Sequence, residues 1–352
     1  MMTNRELIDK LNIQKALEKA EWIQLFRDFS KEDRLYAAHL AREIADARFG
    51  KKIYIRGIVE FSNYCKNDCY YCGIRCSNQH AQRYRLSKEE ILACCDEGSA
   101  LGFKTFVLQS GEDKAYSLQA LCDIVRSIKE RHPDCAVTLS LGEMREAEYR
   151  ALYEAGADRY LLRHETADAA HYAKLHPQNL NLKNRLECLQ TLKTIGFQTG
   201  CGMMIGSPYQ TPACLAEDML FIKAFEPHMV GIGPFIAHKD TPFKDKENGS
   251  YETTLFVLSL VRIMLPDTLL PATTALGTVH PAGREEGIKA GANVVMPNVS
   301  PLAARKKYML YDNKICTGEE SAQCIACLKS RLAAIGYEIV ESRGDYSALR
   351  AE

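Results

Sequence analysis

Residues 155–162 read AGADRYLL. The same junction returns as LGFKTFVL (101–108), IGFQTGCG (195–202) and AGANVVMP (290–297). In each, a helical pattern stops at a Gly and an apolar, strand-like run begins at once. A Gly just past a helix C-cap takes the left-handed backbone that so sharp a reversal needs. Its repetition means that helices and strands alternate through short loops. Strands are expected to start near residues 53, 104, 136, 158, 197, 228, 269 and 293. The first, IYIRGIVEF (53–61), alternates apolar and polar residues. Ser87 followed by Glu90 is a capping-box start for a helix running to about Leu101. Eight such units over ~250 residues fit a (β/α)8 barrel of the TIM type. A doubly wound open sheet is the alternative, because alternation alone does not establish closure. Residues 4–48 are helical in pattern, with apolar positions such as Leu7, Ile8, Leu11 and Trp22. The expected organisation is an N-terminal helical segment (1–50), a barrel (51–300) and a C-terminal helical extension (301–352).

The chain has 352 residues, 45 Lys plus Arg and 45 Asp plus Glu, hence no net charge. A polyanion-binding surface normally needs an excess of basic side chains, so no nucleic-acid partner is expected. Hydrophobic residues make up 46% of the chain, enough for a sizeable core. No apolar run is long enough to span a bilayer. The opening MMTNRELIDKLNIQKALEKAEW lacks the apolar stretch of a signal peptide. A cytoplasmic protein without membrane contact is expected.

Fourteen cysteines are many for such a chain. A disulfide scaffold is not expected at this length without an export signal. Seven of the cysteines lie inside helix-like or strand-like stretches, where a thiol packs as a small hydrophobe. Cys65, Cys69 and Cys72 instead follow the first strand directly, spaced C-x3-C-x2-C with Tyr71 before the last. Three thiolates on one loop can hold three irons of a [4Fe–4S] cube and leave the fourth iron open to a small molecule. The loop after a barrel strand is also where such barrels do chemistry. Zinc is the alternative, with Cys76 or His80 as a fourth ligand, and Cys76 could equally close the cluster. Cys316, Cys324 and Cys327 form a second set, C-x7-C-x2-C, which on spacing alone also suits structural zinc or empty thiols.

The C-x3-C-x-Tyr-C pattern after a first barrel strand resembles the radical S-adenosylmethionine superfamily. The resemblance implies that the open iron chelates the amino and carboxylate groups of S-adenosylmethionine. One electron then cleaves the sulfonium to methionine and a 5′-deoxyadenosyl radical. Ser110-Gly111-Glu112-Asp113 resembles the superfamily's Gly-Gly-Glu turn, whose backbone holds the methionine ammonium. Within the superfamily, the second cysteine set is similar to that of the HydE family of [FeFe]-hydrogenase maturases. So are GADRYLLRHET (156–166), NRLECLQTLK (184–193), MVGIGPFIAHKDTP (229–242), PATTALGT (271–278) and GREEGIKAGANVVMPN (283–298). This resemblance implies a second Fe–S cluster, [2Fe–2S] or [4Fe–4S], on Cys316, Cys324 and Cys327. It implies a low-molecular-weight iron complex bearing CO, cyanide and cysteine as substrate, delivered by HydG. The product would go to the HydF scaffold, towards the diiron subcluster of the hydrogenase H-cluster. Ferredoxin or flavodoxin would supply electrons, and a monomer is expected. Biotin synthase and methylornithine synthase share the barrel and the first motif; the latter lacks the second cysteine set.

Individual roles follow from the same resemblance. Arg163 and Glu165, two apart at the end of the fourth strand, would face one side at the barrel mouth. Such charges are costly to bury unless paired or liganded. Glu165 is assigned to the ribose or methionine part of S-adenosylmethionine and Arg163 to substrate anions. Arg185 is assigned to the cofactor's carboxylate, which a guanidinium fork suits. Tyr71, Gly111, Glu112 and Ser140 are expected at the cofactor, with Thr138 beside Ser140 on the third strand. Thr273 and Thr274 are expected to donate to a small anion. Met229 and Met296 read as core residues by composition and as cavity walls by resemblance, with Tyr308 and Tyr311 as a cap. The other readings are a relative that rearranges carbon or inserts sulfur, an Fe–S scaffold without radical chemistry, and a zinc protein.

Overall fold

A computed structural model describes residues 2–317 and 325–346. The first barrel strand runs as β1 (Lys52–Ile55) and β2 (Gly57–Ser62), broken at Arg56. It is followed by β3 (Thr105–Ser110), β4 (Ala136–Ser140), β5 (Arg159–Leu161), β6 (Gln198–Ile205), β7 (Met229–Pro234) and β8 (Val294–Val295). Strands β2 to β7 pair in sequence order, all in parallel. Beyond β7 the ladder continues through single bridges, Met229 to Leu269 and Pro271 to Val294. β8 then pairs with β1, and the sheet is closed. The strand expected near residue 269 is thus reduced to bridging residues. Pro271 cannot donate to a ladder, which limits pairing there.

The four junction glycines all have positive φ: 88° at Gly102, 107° at Gly156, 113° at Gly196 and 102° at Gly291. Each ends one helix and starts the next strand, as the repeated motif requires.

The helix Tyr251–Met264 is apolar nearly all round, and every residue from Thr254 to Met264 is buried. An amphipathic helix would not survive there. It lies between β7 and the N-terminal helix Lys31–Phe49, while the helix Lys19–Asp28 covers Pro212–Phe225. The N-terminal segment is therefore an outer layer on two barrel helices. The C-terminal extension contributes a strand as well as a helix. After Ile325–Ala334, β9 (Glu338–Val340) pairs in parallel with β1. The chain then crosses the N-terminal end of the barrel, where Arg343 pairs with Asp158 and Asp345 with Arg159. Among the described residues, no helix is long and apolar enough to cross a membrane.

Candidate active site

A cavity of about 250 Å³ opens at the C-terminal ends of the strands. Cys65, Cys69, Cys72 and Tyr71 form one wall. Gly111, Glu112 and Ser140, from the ends of β3 and β4, form the next. Arg163, Glu165 and Arg185 face them, and Tyr308 and Tyr311 close the far side. All of these were expected from sequence at a common site.

The cysteine loop has little regular structure, so its shape rests on side chains that bond to backbone. Asp68 accepts from Arg75 Nε at 2.7 Å, from Ser77 N at 3.1 Å and from Ser77 Oγ at 2.6 Å. These contacts, Arg75 first, hold the Asp68 carboxyl well below the usual carboxylate range. Arg83 donates to four carbonyls, those of Asn63, Ile74, Arg75 and Asn78. Asn63 Nδ2 ties the loop to Gln82 O at 2.9 Å and to Lys307 O at 2.8 Å. Sequence reasoning missed Asp68, Arg83 and Asn63, because bonds to scattered backbone groups and side chains leave no spacing to recognise.

Burial raises the Cys65 thiol, lifts Cys69 well above the usual thiol range and pushes Cys72 up to about 12. Bare thiolates are thus disfavoured here, and a cationic metal is what would stabilise them. Among the described residues, no three His, Cys, Asp or Glu side chains converge to hold a single ion. A cube instead takes one thiolate on each of three irons. Cys76 and His80, the alternative fourth ligands, are exposed and do not line the cavity.

The turn after β3 meets the loop directly. Glu112 N donates to Cys65 Sγ at 3.4 Å, and Lys66 N donates to Glu112 O at 3.0 Å. The Glu112 carboxylate accepts from Glu143 N at 3.1 Å and lies 2.8 Å from Lys66 Nζ. Asp113 is bound by Ser62 Oγ at 2.6 Å and by both arms of Arg85 at 2.7 and 3.0 Å. Burial would raise its carboxyl, but Arg85 and Ser62 keep it below the usual range.

Arg185, on the helix Leu182–Ile195, has Nε 2.6 Å from Glu143 Oε1, an ion pair without a hydrogen bond between these atoms. Burial works against its charge, yet Tyr172 and Glu143 keep it firmly protonated. Arg163 lies 3.2 Å from Glu165 and donates to Met203 O at 2.6 Å, leaving its Nε without a hydrogen bond. Glu165 has φ 64°, unusual for a side chain that is neither Gly nor Asn. β5 ends at Leu161, so Arg163 and Glu165 lie past the strand in which they were expected, and the Glu165 carboxylate lines the cavity beside Arg163. Tyr71 OH meets His176 Nε2 at 3.2 Å, and His176 Nδ1 meets Tyr172 O at 2.9 Å. A carbonyl only accepts, so Nδ1 carries the proton and Nε2 accepts from Tyr71.

Several expected residues stand apart. Thr273 caps the helix Thr274–Val279 by accepting from Leu276 N at 3.3 Å, and it donates to Ile232 O at 3.2 Å. Thr274 is half-buried and, like Thr273, does not line this cavity, although Ala275 does. Met229 and Met296 belong to an apolar group with Leu269 and Val294, lower in the barrel. Thr138 is buried with its hydroxyl unpartnered. Cys316 is buried, with φ 62°, and takes a hydrogen bond from Arg284 at 2.9 Å. Cys327 is exposed on the helix Ile325–Ala334, and Cys324 lies outside the described residues.

Residues 59–222 match the model of the radical SAM superfamily. The chain is 45% identical over 340 residues to the [FeFe] hydrogenase maturase subunit HydE of Thermotoga maritima, covering 95% of each chain. It is 30% identical to 3-methylornithine synthase of Methanosarcina barkeri over 87% of this chain and 86% of that one. The crystal structure of methylornithine synthase superimposes with a TM-score of 0.81 at 25% identity, covering 98% of this chain and 99% of that one. With the cysteine wall at the mouth of a closed barrel, these likenesses establish that the chain belongs to the radical SAM superfamily and, within it, to the HydE family.

Proposed function

We propose that the protein is a hydrogenase maturase whose radical chemistry acts on a small iron complex bearing CO, cyanide and cysteine. One observation carries the reading. The three cysteines, the Glu165–Arg163 pair and Arg185 share a single cavity, with Arg163 Nε still lacking a partner. A [4Fe–4S] cluster fits these residues, because three half-buried cysteines line one wall and each thiol is disfavoured as a bare thiolate. When bound and reduced by one electron, the cluster supplies reductive cleavage of S-adenosylmethionine to methionine and a 5′-deoxyadenosyl radical. Cys65, Cys69 and Cys72 would hold it. Gly111, Glu112, Ser140 and Tyr71 would position the zwitterionic cofactor, with Arg185 at its carboxylate and Glu165 at its ribose or ammonium. Arg163 would hold a cyanide or carboxylate of the substrate. Tyr308 and Tyr311 exclude water, which protects a reactive radical from side reactions.

Thr273, Thr274, Met229 and Met296 do not line this cavity and take no part in this reading. Cys316, Cys324 and Cys327 would hold a second Fe–S cluster near Arg284. The iron complex would come from HydG and its product pass to HydF, with the protein acting as a cytoplasmic monomer.

Anaerobic reconstitution with iron and sulfide, then dithionite and S-adenosylmethionine, tests this with 5′-deoxyadenosine as the readout. The iron complex is expected to raise deoxyadenosine formation and to be consumed. A Cys65→Ala, Cys69→Ala, Cys72→Ala variant is expected to form none. Consumption of an amino acid in place of the iron complex would overturn the substrate reading.

A further inference from the structure

A second hollow, about 230 Å³, lies on the outer side of the cysteine loop. Lys239, Lys306, Lys307 and His80 line it, against one acid, Asp240. Lys239 and Lys306 are exposed, and among the described residues none of the three ammonium groups forms an ion pair. The wall between this hollow and the cavity is one residue thick. Ile74, two residues past Cys72, lines both. Met309 faces the hollow while its neighbour Leu310 faces the cavity, and Gly73 N donates to Leu310 O at 2.8 Å. Packing here leaves no slack: a Cβ on Gly73 would lie 2.2 Å from Met309 O and 2.4 Å from the His238 ring.

From this we infer that the hollow is where an acidic, one-electron donor protein docks. This rests on the proposed cluster at Cys65, Cys69 and Cys72. Unpaired lysines steer an acidic partner and make its association salt-dependent. A donor seated there would be separated from the cavity that holds the proposed cluster by the layer of Ile74. The donor is oxidised by one electron, and the cluster takes that electron, going from the 2+ to the 1+ state. No proton or bond change is required at this step.

The test uses the reconstituted holoenzyme with reduced flavodoxin, beside dithionite, which is small and needs no docking surface. In a Lys239→Glu, Lys306→Glu, Lys307→Glu variant, flavodoxin-driven deoxyadenosine formation is expected to fall ~10-fold or more at low salt, with the dithionite-driven rate unchanged. The Kd for oxidised flavodoxin, measured by titration, is expected to rise by a similar factor. The donor-driven rate of the unmodified protein should fall with added salt, and that of the variant should not. Carbodiimide cross-linking should join these lysines to donor carboxylates. Wild-type affinity and donor-driven rate in the variant would overturn the docking site. No deoxyadenosine from the unmodified protein with dithionite would overturn the functional reading instead.

Discussion

The backbone N–H of Glu112 points at Cys65 Sγ, 3.4 Å away, and binds the turn after β3 to the cysteine loop. Gly111 makes this approach possible. A Cβ there would lie 2.2 Å from Tyr64 O and 2.7 Å from Cys65 Cβ. Gly111→Ala must push the two segments apart. Iron retained per chain after reconstitution is expected to fall at least by half, with a stability loss of about 1–3 kcal/mol. Full iron content and an unchanged visible spectrum would show that the turn does not shape the loop.

Arg185 donates from Nη1 to Arg163 O, while its Nε lies against Glu143 without a hydrogen bond and still has a proton to give to a ligand carboxylate. Lys keeps the charge but loses the fork. Arg185→Lys is expected to raise KM for S-adenosylmethionine ~10-fold, about 1.4 kcal/mol, with kcat little changed. Iron content should stay normal, which separates lost cofactor binding from a collapsed loop. An unchanged KM would remove Arg185 from the cofactor site.

Much of this site was legible because its signals are local. Cysteine spacing is covalent, and the junction glycines mark where four of the strands begin. Arg163 and Glu165 were expected to share a side as the end of a strand; β5 stops at Leu161, and both line one cavity although neither belongs to the strand. The left-handed backbone at Glu165 was not legible, since nothing about Glu favours it. Equally hidden was Lys314, which reaches across 254 positions to the buried Glu60 at 2.5 Å. That pair anchors the segment bearing Tyr308 and Tyr311 to β2. A lysine next to an isoleucine reads as solvated until the fold buries it. The end of the chain was unreadable for the same reason: β9 is three residues long and has meaning only beside β1.

His176 gives a pH dependence with a definite sign. Burial pulls its pKa down to about 4, and burial together with Lys193 does the same for His228. In the unfolded chain both titrate near 6.5. Between these values the unfolded chain binds more protons, so stability falls as pH drops from about 6.5 towards 4. Above 6.5 both are neutral in either state and the contribution is complete. Each histidine accounts for at most about 3 kcal/mol across this window. Urea denaturation at pH 7.5 and pH 5 should show the loss, and His176→Gln should make it smaller. Equal losses in both proteins would mean that His176 does not titrate as its burial implies.

At the N-terminal end of the barrel a buried arginine depends on the end of the chain. Arg159 is 3% exposed, and its guanidinium reaches Asp345 Oδ1 at 2.5 Å, Thr105 Oγ1 at 2.9 Å and Arg343 O at 2.7 Å. A second buried guanidinium, Arg56, lies close enough to feel its charge. Asp345 is therefore the carboxylate that makes burial of Arg159 tolerable. Asp345→Asn leaves that charge buried without its paired carboxylate, with only the more distant Asp158 to offset it, and breaking such a pair costs about 3–5 kcal/mol. Replacing both partners removes the uncompensated charge as well. Arg159→Met with Asp345→Asn should therefore be more stable than Asp345→Asn alone, a coupling that a double-mutant cycle reads directly. Thermal unfolding of the four proteins measures it. If the single variant loses less than about 1 kcal/mol, water already reaches Arg159 and the terminal segment does not seal the barrel.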